Sequence, residues 1–221
     1  MIETKNQGIY MERTNRGTKF FTKNMIPRKR VYDERLYRDK GVEYREWSIM
    51  KSKIGAALAK NITELGVKEN DYVLYLGSAS GTTVSHLSDI IGNGMIFGID
   101  VSARVLRELY FLAKYRKNIA PMLADCNKPD TYSKRICECD FLVQDIAQKN
   151  QVEIFLKNLK FLKKGGNAFL AIKARSIDVV KNPIKVFEMV KRQLEEQNLN
   201  IIDYKTLDPF EKDHCVFLIK K

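Results

Sequence analysis

The sequence has few residues of the kinds that hold metal ions or cross-link small domains. It contains four cysteines and two histidines among 221 residues. Cys137 and Cys139 are too close together for a CxxC motif, and no second pair follows at a zinc-binding spacing. We therefore expect reduced thiols, no metal site and a cytoplasmic location.

Long hydrophobic runs are also missing. No stretch is apolar and long enough to span a bilayer, and the opening residues MIETKNQG do not have the pattern of a signal peptide. Hydrophobic residues nevertheless make up 44% of the chain, which is ordinary for a packed domain. The length fits one α/β domain with a small extension.

Acidic residues are outnumbered by basic ones, and the excess is uneven. The formal net charge is +12, and the first 60 residues contribute +8 of it, with fifteen lysines and arginines against seven acidic residues. Such clustering indicates an anionic partner, most commonly nucleic acid, although a basic surface kept for solubility would have the same composition. Nothing resembles an RRM, KH or zinc-knuckle module, so we find no base-reading device.

Residues 1–50 differ in pattern from the rest. The runs 8–14, 18–24 and 30–37 have β character and are separated by turn-forming residues, which predicts a small antiparallel β domain. The aromatic residues among them are expected to form its core and not a base-stacking platform. A stripe of apolar positions over 52–65 then predicts a helix.

In residues 51–221, the second predicted domain, strands and helices alternate. Strands are predicted at 72–76, 95–99, 119–123, 141–143 and 168–172, and helices at 83–91, 103–115, 148–161 and 183–197. Two more strands, 200–206 and 215–219, suggest a terminal antiparallel pair. This order predicts an α/β fold of the Rossmann-like class I methyltransferase type, with a mostly parallel sheet covered on both faces.

The residues after the first strand of this domain have the features of a nucleotide-binding turn. Gly77 and Gly81 lie between strand and helix in GSASGTT (77–83), and Asp100 ends the next strand, where an acidic residue holds ribose hydroxyls. The G-x-G-x-x-G spacing of dinucleotide sites is absent. We expect Thr82 and Thr83 to cap the helix and to suit the carboxylate of S-adenosylmethionine. A Gly/Ser turn that binds no ligand would have the same local sequence.

Polar residues also follow the later strands, at the edge where doubly wound sheets bind ligands. Asp125, Asp145 and Lys173 each come after an apolar run, and Asp145 and Lys173 are expected to lie close enough to pair. Lys53 begins the first helix and could enter the same cleft. His214 precedes the last strand, where a structural and a functional role are both open. The other histidine, His86, lies within a helix and is expected to be structural.

Several motifs together resemble the archaeal fibrillarins, the 2′-O-methyltransferases of box C/D guide ribonucleoproteins. They are TKN (22–24), EYREW (43–47), YLGSASGTT (75–83), FGID (97–100), SARVLREL (102–109), DIAQ (145–148), KARSID (173–178) and EKDH (211–214). The resemblance implies S-adenosylmethionine as methyl donor and a ribose 2′-hydroxyl of rRNA or tRNA as acceptor. It implies a catalytic tetrad of Lys53, Asp145, Lys173 and His214. It also implies three partners: a box C/D guide RNA, a Nop-domain scaffold protein and a kink-turn-binding protein.

The turn, the strand ends and the resemblance together define a set of expected cofactor-binding residues. They are Gly77, Ala79, Ser80, Thr82, Thr83, Asp100, Val101, Asp125, Cys126, Asp145 and Gln148. Two of these cofactor-set residues depart from the family pattern, as do Asp33, Ile49 and Lys51 elsewhere in the chain. Asp100 replaces the glutamate of many relatives, and Cys126 replaces the usual alanine.

The sequence leaves more than one mechanism and more than one function open. Lys173 could accept the proton of the ribose hydroxyl, or stay charged and stabilise the forming alkoxide. An NAD-dependent oxidoreductase is disfavoured by the glycine spacing and by the terminal strand pair. The sequence is also compatible with a non-enzymatic RNA-binding subunit and with a protein methyltransferase.

Overall fold

The computed structural model describes residues 1–15 and 17–221, which form two β-sheets. The first sheet consists of β1 Ile2–Glu3, β2 Ile9–Thr14, β3 Gly17–Lys23, β4 Leu36–Asp39 and β5 Val42–Trp47. It is antiparallel, with the order β1-β2-β3-β5-β4. Tyr10, Phe21 and Tyr44 are buried against one another, which confirms that these aromatic residues form a core.

The β structure predicted over 30–37 is wrong for residues 30–35. Only Leu36–Asp39 forms a strand. The carboxylate of Glu34 accepts hydrogen bonds from the backbone N–H groups of Val31 (2.9 Å) and Tyr32 (2.8 Å), and this folds the segment into a turn. Glu34 is buried beside the guanidinium of Arg45 (2.8 Å), a tertiary contact that no local pattern reveals.

The second sheet has seven strands, and their arrangement confirms the predicted α/β fold. They are β6 Tyr72–Leu76, β7 Met95–Asp100, β8 Ile119–Leu123, β9 Cys139–Asp145, β10 Leu162–Lys173, β11 Asn200–Thr206 and β12 His214–Lys220. The order is β11-β12-β10-β9-β6-β7-β8, with β12 antiparallel to both neighbours and the other pairs parallel. From β6 the chain first adds β7 and β8 on one side of it and then returns to add β9 and β10 on the other side. A crevice therefore opens at the carboxyl ends of β6 and β9, where the strand order switches sides.

Helices pack on both faces of this sheet, and two of them are much shorter than predicted. They are α1 Lys53–Ala59, α2 Thr82–Ile90, α3 Ala103–Ala113, α4 Gln151–Asn158, α5 Ala174–Ile177 and α6 Pro183–Glu196. The helix expected over 52–65 ends at Ala59, because Asn61 takes a left-handed φ of 56°. The helix expected over 148–161 begins only at Gln151, because Asn127 Nδ2 holds the side chain of Gln148 in a loop (3.0 Å). Among the described residues, no helix is long and apolar enough to cross a bilayer.

A network of buried charges joins the first sheet to helix α2. Arg45 on β5 contacts Asp89 of α2 (2.8 Å) as well as Glu34, and Arg116 contacts the same aspartate (2.6 Å). These four side chains are at most 1% exposed. Because buried charges are tolerated only when they are paired, the network fixes the position of the first sheet on α2.

Candidate active site

The turn between β6 and α2 requires small residues. Gly77, Ala79 and Gly81 have positive φ angles of 80°, 48° and 98°, a region that residues with a Cβ rarely enter. A Cβ placed on Gly77 would lie 2.2 Å from the backbone oxygen of Asp145. The turn therefore runs directly against the end of β9, and a ligand can meet bare backbone there.

Gly81 is the N-cap residue of α2, so the capping expected of Thr82 and Thr83 is wrong. The chain enters the helix through the left-handed conformation of Gly81, which places both threonines inside the first turn. A glycine cap has no side-chain acceptor, and the N–H groups of a first helical turn have no partner within the helix. This end of α2 therefore suits an anionic group such as a carboxylate.

Asp100, at the end of β7, is fixed by the same turn. Its Oδ2 accepts a hydrogen bond from Ala79 N–H (2.9 Å), and its Oδ1 accepts one from Ser102 N–H (2.9 Å). Each carboxylate oxygen has a second lone pair, so the group can still accept from two ribose hydroxyls. Its position agrees with the role in ribose binding that the sequence predicts.

A cavity of about 260 Å³ lies at the carboxyl ends of β6, β7, β8 and β9. Its lining includes eight of the eleven residues predicted to bind the cofactor: Gly77, Ala79, Asp100, Val101, Asp125, Cys126, Asp145 and Gln148. Ile146 and Ala147 complete the lining and were not predicted. Both belong to the DIAQ motif, which is the sequence feature that could have identified them as lining residues.

Asn127 is a further residue that the sequence analysis missed. Its backbone N–H donates to Asp125 Oδ1 (2.9 Å), and its Nδ2 donates to Gln148 Oε1 (3.0 Å). It thus joins the loops after β8 and β9 beside the cavity, and nothing in its local sequence distinguishes it. Burial raises the pKa of the neighbouring Cys126 thiol to about 12, so this thiol is neutral and serves as an apolar wall.

The other three predicted cofactor residues lie outside this cavity. Ser80 and Thr82 line a neighbouring cavity of about 420 Å³, between α3 and the loop that follows β3. Thr83 is buried, and its hydroxyl donates to Ser52 Oγ (3.0 Å). Cofactor contacts from these three residues stay predictions, as do those from the eight residues in the lining.

Lys53 and Asp145 form an ion pair beside the cofactor cavity. Lys53 is the first residue of α1, and Ser52 caps this helix by accepting from Gly55 N–H (3.2 Å). Lys53 Nζ lies 3.0 Å from Asp145 Oδ1 and 3.1 Å from Oδ2. Whereas the sequence suggested Lys173 as the partner of Asp145, the ion pair in the structure is with Lys53. Asp145 also lines the cavity and therefore connects the ion pair to the ligand site.

Lys173 and His214 are opposite each other on antiparallel strands. Lys173 ends β10 in register with His214 of β12, whereas Asp145 of β9 is in register with Ala171, two residues earlier. His214 Nδ1 lies 2.7 Å from the carbonyl oxygen of Lys212. Because a carbonyl oxygen only accepts, Nδ1 carries the proton, and Nε2 is the basic nitrogen of the neutral ring. The four predicted catalytic residues thus lie along one edge of the sheet.

His86 lies on the face of α2 that packs against the first sheet and is buried there, as expected for a structural residue. Its ring stacks on Trp47 with the centroids 4.7 Å apart. Its Nδ1 lies 2.8 Å from Thr22 Oγ1, and its Nε2 lies 2.7 Å from Tyr32 Oη. Burial, and then the two arginines of the charge network, hold its pKa well below the usual value, so the ring is neutral.

The lining of the cofactor cavity fits S-adenosylmethionine better than a dinucleotide. Three carboxylates line it, those of Asp100, Asp125 and Asp145, and the described residues add no lysine or arginine to that lining. Carboxylates repel a pyrophosphate and attract a sulfonium cation. The described residues contain no cluster of His, Cys, Asp and Glu that could hold a metal ion, and all four cysteines are free thiols.

Comparison with known proteins gives close relatives over the whole chain. The fibrillarin family model matches residues 1–221. The fibrillarin-like rRNA/tRNA 2′-O-methyltransferase of Pyrococcus furiosus is 44% identical, and the alignment covers 100% of both chains.

Solved structures agree with the sequence relatives. Aeropyrum pernix fibrillarin, in complex with natively bound S-adenosyl-L-methionine, has a TM-score of 0.89 at 43% identity, covering 98% of this chain and 96% of that one. A chain of a fibrillarin/Nop5p complex has a TM-score of 0.88 at 35% identity, covering 98% of this chain and 99% of its own length. With the fold and the site described above, these matches show that the chain belongs to the fibrillarin family.

Proposed function

We propose that this chain transfers a methyl group from S-adenosylmethionine to ribose 2′-hydroxyls of rRNA and tRNA, as the catalytic subunit of a box C/D guide ribonucleoprotein. The observation that carries the proposal is the position of Asp145, which lines the cofactor cavity and pairs with Lys53. The cofactor cavity and the Lys53–Asp145 ion pair therefore share one residue. The relative from Pyrococcus furiosus, named for this activity, supports the proposal.

S-adenosylmethionine, when bound, supplies a methyl group that is activated by the positive charge on sulfur. Asp100 would accept hydrogen bonds from its ribose, Asp125 would accept one from its adenine amino group, and the first turn of α2 would suit its carboxylate. The carboxylates of the cavity offset the sulfonium charge. Since the donor is already activated, the protein mainly has to orient the two reactants.

The acceptor hydroxyl needs help to lose its proton, because a ribose hydroxyl is a poor nucleophile near neutral pH. We assign this task to Lys173, with His214 beside it and with Asp145 balanced by Lys53. An uncharged Lys173 amine takes the proton, whereas a charged one stabilises the developing alkoxide. The pH dependence of methylation distinguishes these roles, since only the uncharged amine can accept a proton.

Target selection belongs to the partners in this proposal. The sequence has no base-reading module, so a guide RNA would specify the nucleotide by base pairing. A Nop-domain scaffold and a kink-turn-binding protein would hold that guide RNA against the active site. The relative in the fibrillarin/Nop5p complex supports the scaffold partner.

The substitution Lys173→Ala tests the proposal. We expect methylation by the assembled particle to fall by a factor on the order of 10² to 10⁴, while calorimetry shows unchanged affinity for S-adenosylmethionine. Lys164→Ala, at the opposite end of β10, is the matched control and should keep both the methylation rate and the affinity for S-adenosylmethionine. Asp100→Ala should weaken cofactor binding. Wild-type turnover by Lys173→Ala, or binding of NAD in place of S-adenosylmethionine, contradicts the proposal.

A further inference from the structure

We propose that Gln151 is a positioning residue for this reaction, because its buried side chain holds the backbone of Lys173 in place. A second glutamine, Gln144, supports it. Both glutamines are 0% exposed although each carries a polar amide. The inference rests on the proposed function and names residues outside the predicted tetrad.

The side chain of Gln151 makes the hydrogen bonds to Lys173 that a neighbouring strand would otherwise make. Its Oε1 accepts from the backbone N–H of Lys173 (3.0 Å), and its Nε2 donates to the carbonyl of the same residue (3.1 Å). The ladder between β9 and β10 ends where Asp145 faces Ala171, so the amide of Gln151 extends it beyond its last pair. Pairing with His214 fixes Lys173 from the other side.

We call the two hydrogen bonds between the Gln151 side chain and the Lys173 backbone the brace, and Gln144 connects this brace to Asp145. Its Nε2 donates to the carbonyl oxygen of Gln151 (2.7 Å), and Gln144 directly precedes Asp145 in β9. Its Oε1 has no hydrogen-bond partner among the described residues. An unpaired buried oxygen lowers stability, and an apolar side chain of similar size would avoid this loss. The amide is therefore better explained by what it positions than by folding.

The brace matters because Lys173 acts at a strand end. The ladder to β9 has already ended at Ala171, and α5 begins at Ala174, directly after Lys173. The path of the backbone at Lys173 decides where its long side chain can reach. A displacement of about 1 Å at a reacting group can lower a rate by about a hundredfold. The two glutamines thus tie the backbones of Asp145 and Lys173 into one unit.

The substitution Gln151→Met tests the brace, since methionine keeps the length and approximate volume but removes the amide. We expect the single-turnover methylation rate of the assembled particle to fall about tenfold or more, with unchanged affinity for S-adenosylmethionine. Hydrogen exchange at the Lys173 amide should become faster. Gln144→Met, which leaves the Gln151 side chain intact, should give a smaller fall and serves if the first variant does not fold.

Asn118→Leu is the matched control. Asn118 is also a buried amide that donates to two carbonyls, those of Ser88 (2.9 Å) and Ile91 (3.3 Å), but it lies outside the cavity lining. We expect it to lose stability and keep its methylation rate. Unchanged exchange at Lys173, a wild-type rate in folded Gln151→Met, or an equal loss of rate in Asn118→Leu overturns the inference. An inactive wild-type particle contradicts the proposed function instead, and the exchange measurement still decides the brace.

Discussion

Gly77 shows how closely one residue can be constrained by its surroundings. Its φ is +80°, and an added Cβ would lie 2.2 Å from the backbone oxygen of Asp145. We expect Gly77→Ala to push β6 and β9 apart, lowering the free energy of unfolding by roughly 1–3 kcal/mol. The binding free energy for S-adenosylmethionine should fall by at least the same amount, because the same backbone lines the cavity. Urea denaturation and calorimetric titration measure the two effects.

Gly92→Ala provides the control at this scale. Its added Cβ would meet nothing within 4 Å, so the substitution introduces a methyl group without a clash. Cofactor affinity should therefore stay at the wild-type level. A Gly77→Ala protein that binds S-adenosylmethionine as tightly as Gly92→Ala does would show that the close approach of turn and strand has no role in binding.

At the scale of elements, helix α2 links the cofactor turn to the first sheet. Its first turn faces the ligand region, while its buried side contacts the charge network. The carbonyl of Ser85 accepts from Arg45 Nη1 (3.3 Å) and from Arg116 Nη1 (3.1 Å), and Ser85 Oγ accepts from Arg45 Nη2 (2.8 Å). The first sheet therefore helps to fix the helix whose N-terminus belongs to the site.

The same helix should make stability depend on pH through His86. Its pKa is held well below the usual value in the folded chain, whereas the unfolded chain takes up a proton below about pH 6.5. The unfolded state then binds more protons, so stability is present above that pH and is lost as the pH falls. We expect a loss approaching about 1.4 kcal/mol per pH unit down to about pH 5. Urea denaturation across this range measures it.

Replacement of His86 by glutamine should flatten that dependence. The Glu34 carboxyl, whose pKa is lowered in the folded chain, contributes loss of the same sign but only nearer its ordinary value of 4.5. The interval from about pH 6.5 to 5 therefore isolates the histidine. An equally steep loss in His86→Gln would assign the effect to another group.

The elements that could be predicted from the sequence are those whose own residues determine them. The buried strands β6 to β10 have apolar runs that the sequence reveals. Asp100, Asp145 and Lys173 could be predicted as site residues because each ends one of these strands. Tertiary contacts decided the rest. Glu34 turns a β-like segment because Arg45 neutralises it, and the amide of Gln151 has a partner 22 residues away in sequence. Local patterns contain no information on such partners.

At the scale of the whole molecule, the location of a charge matters more than the net charge. The first 60 residues carry an excess of +8, but some of their cations are neutralised internally. Arg45 is buried with Glu34 and Asp89, and Lys53 pairs with Asp145. Composition predicts an anionic partner, but the structure is needed to show which cations remain available. Arg28, Lys29 and Arg30 are consecutive and exposed.

These three residues should carry part of the RNA affinity. Lys29 and Arg30 line the cavity that also contains Ser80 and Thr82 of the cofactor turn, so they lie near the catalytic edge of the sheet. Replacing all three with glutamine should weaken binding of single-stranded RNA and reduce the slope of log affinity against log salt by about 0.7 for each lost phosphate contact. Fluorescence anisotropy over a series of salt concentrations measures that slope.

The matched control replaces Lys163, Lys164 and Lys220, which line a cavity at the opposite edge of the same sheet. Both triple variants lose the same net charge, so equal slopes would mean that RNA responds to net charge alone, whereas a smaller slope only in the first variant locates the RNA beside the active site.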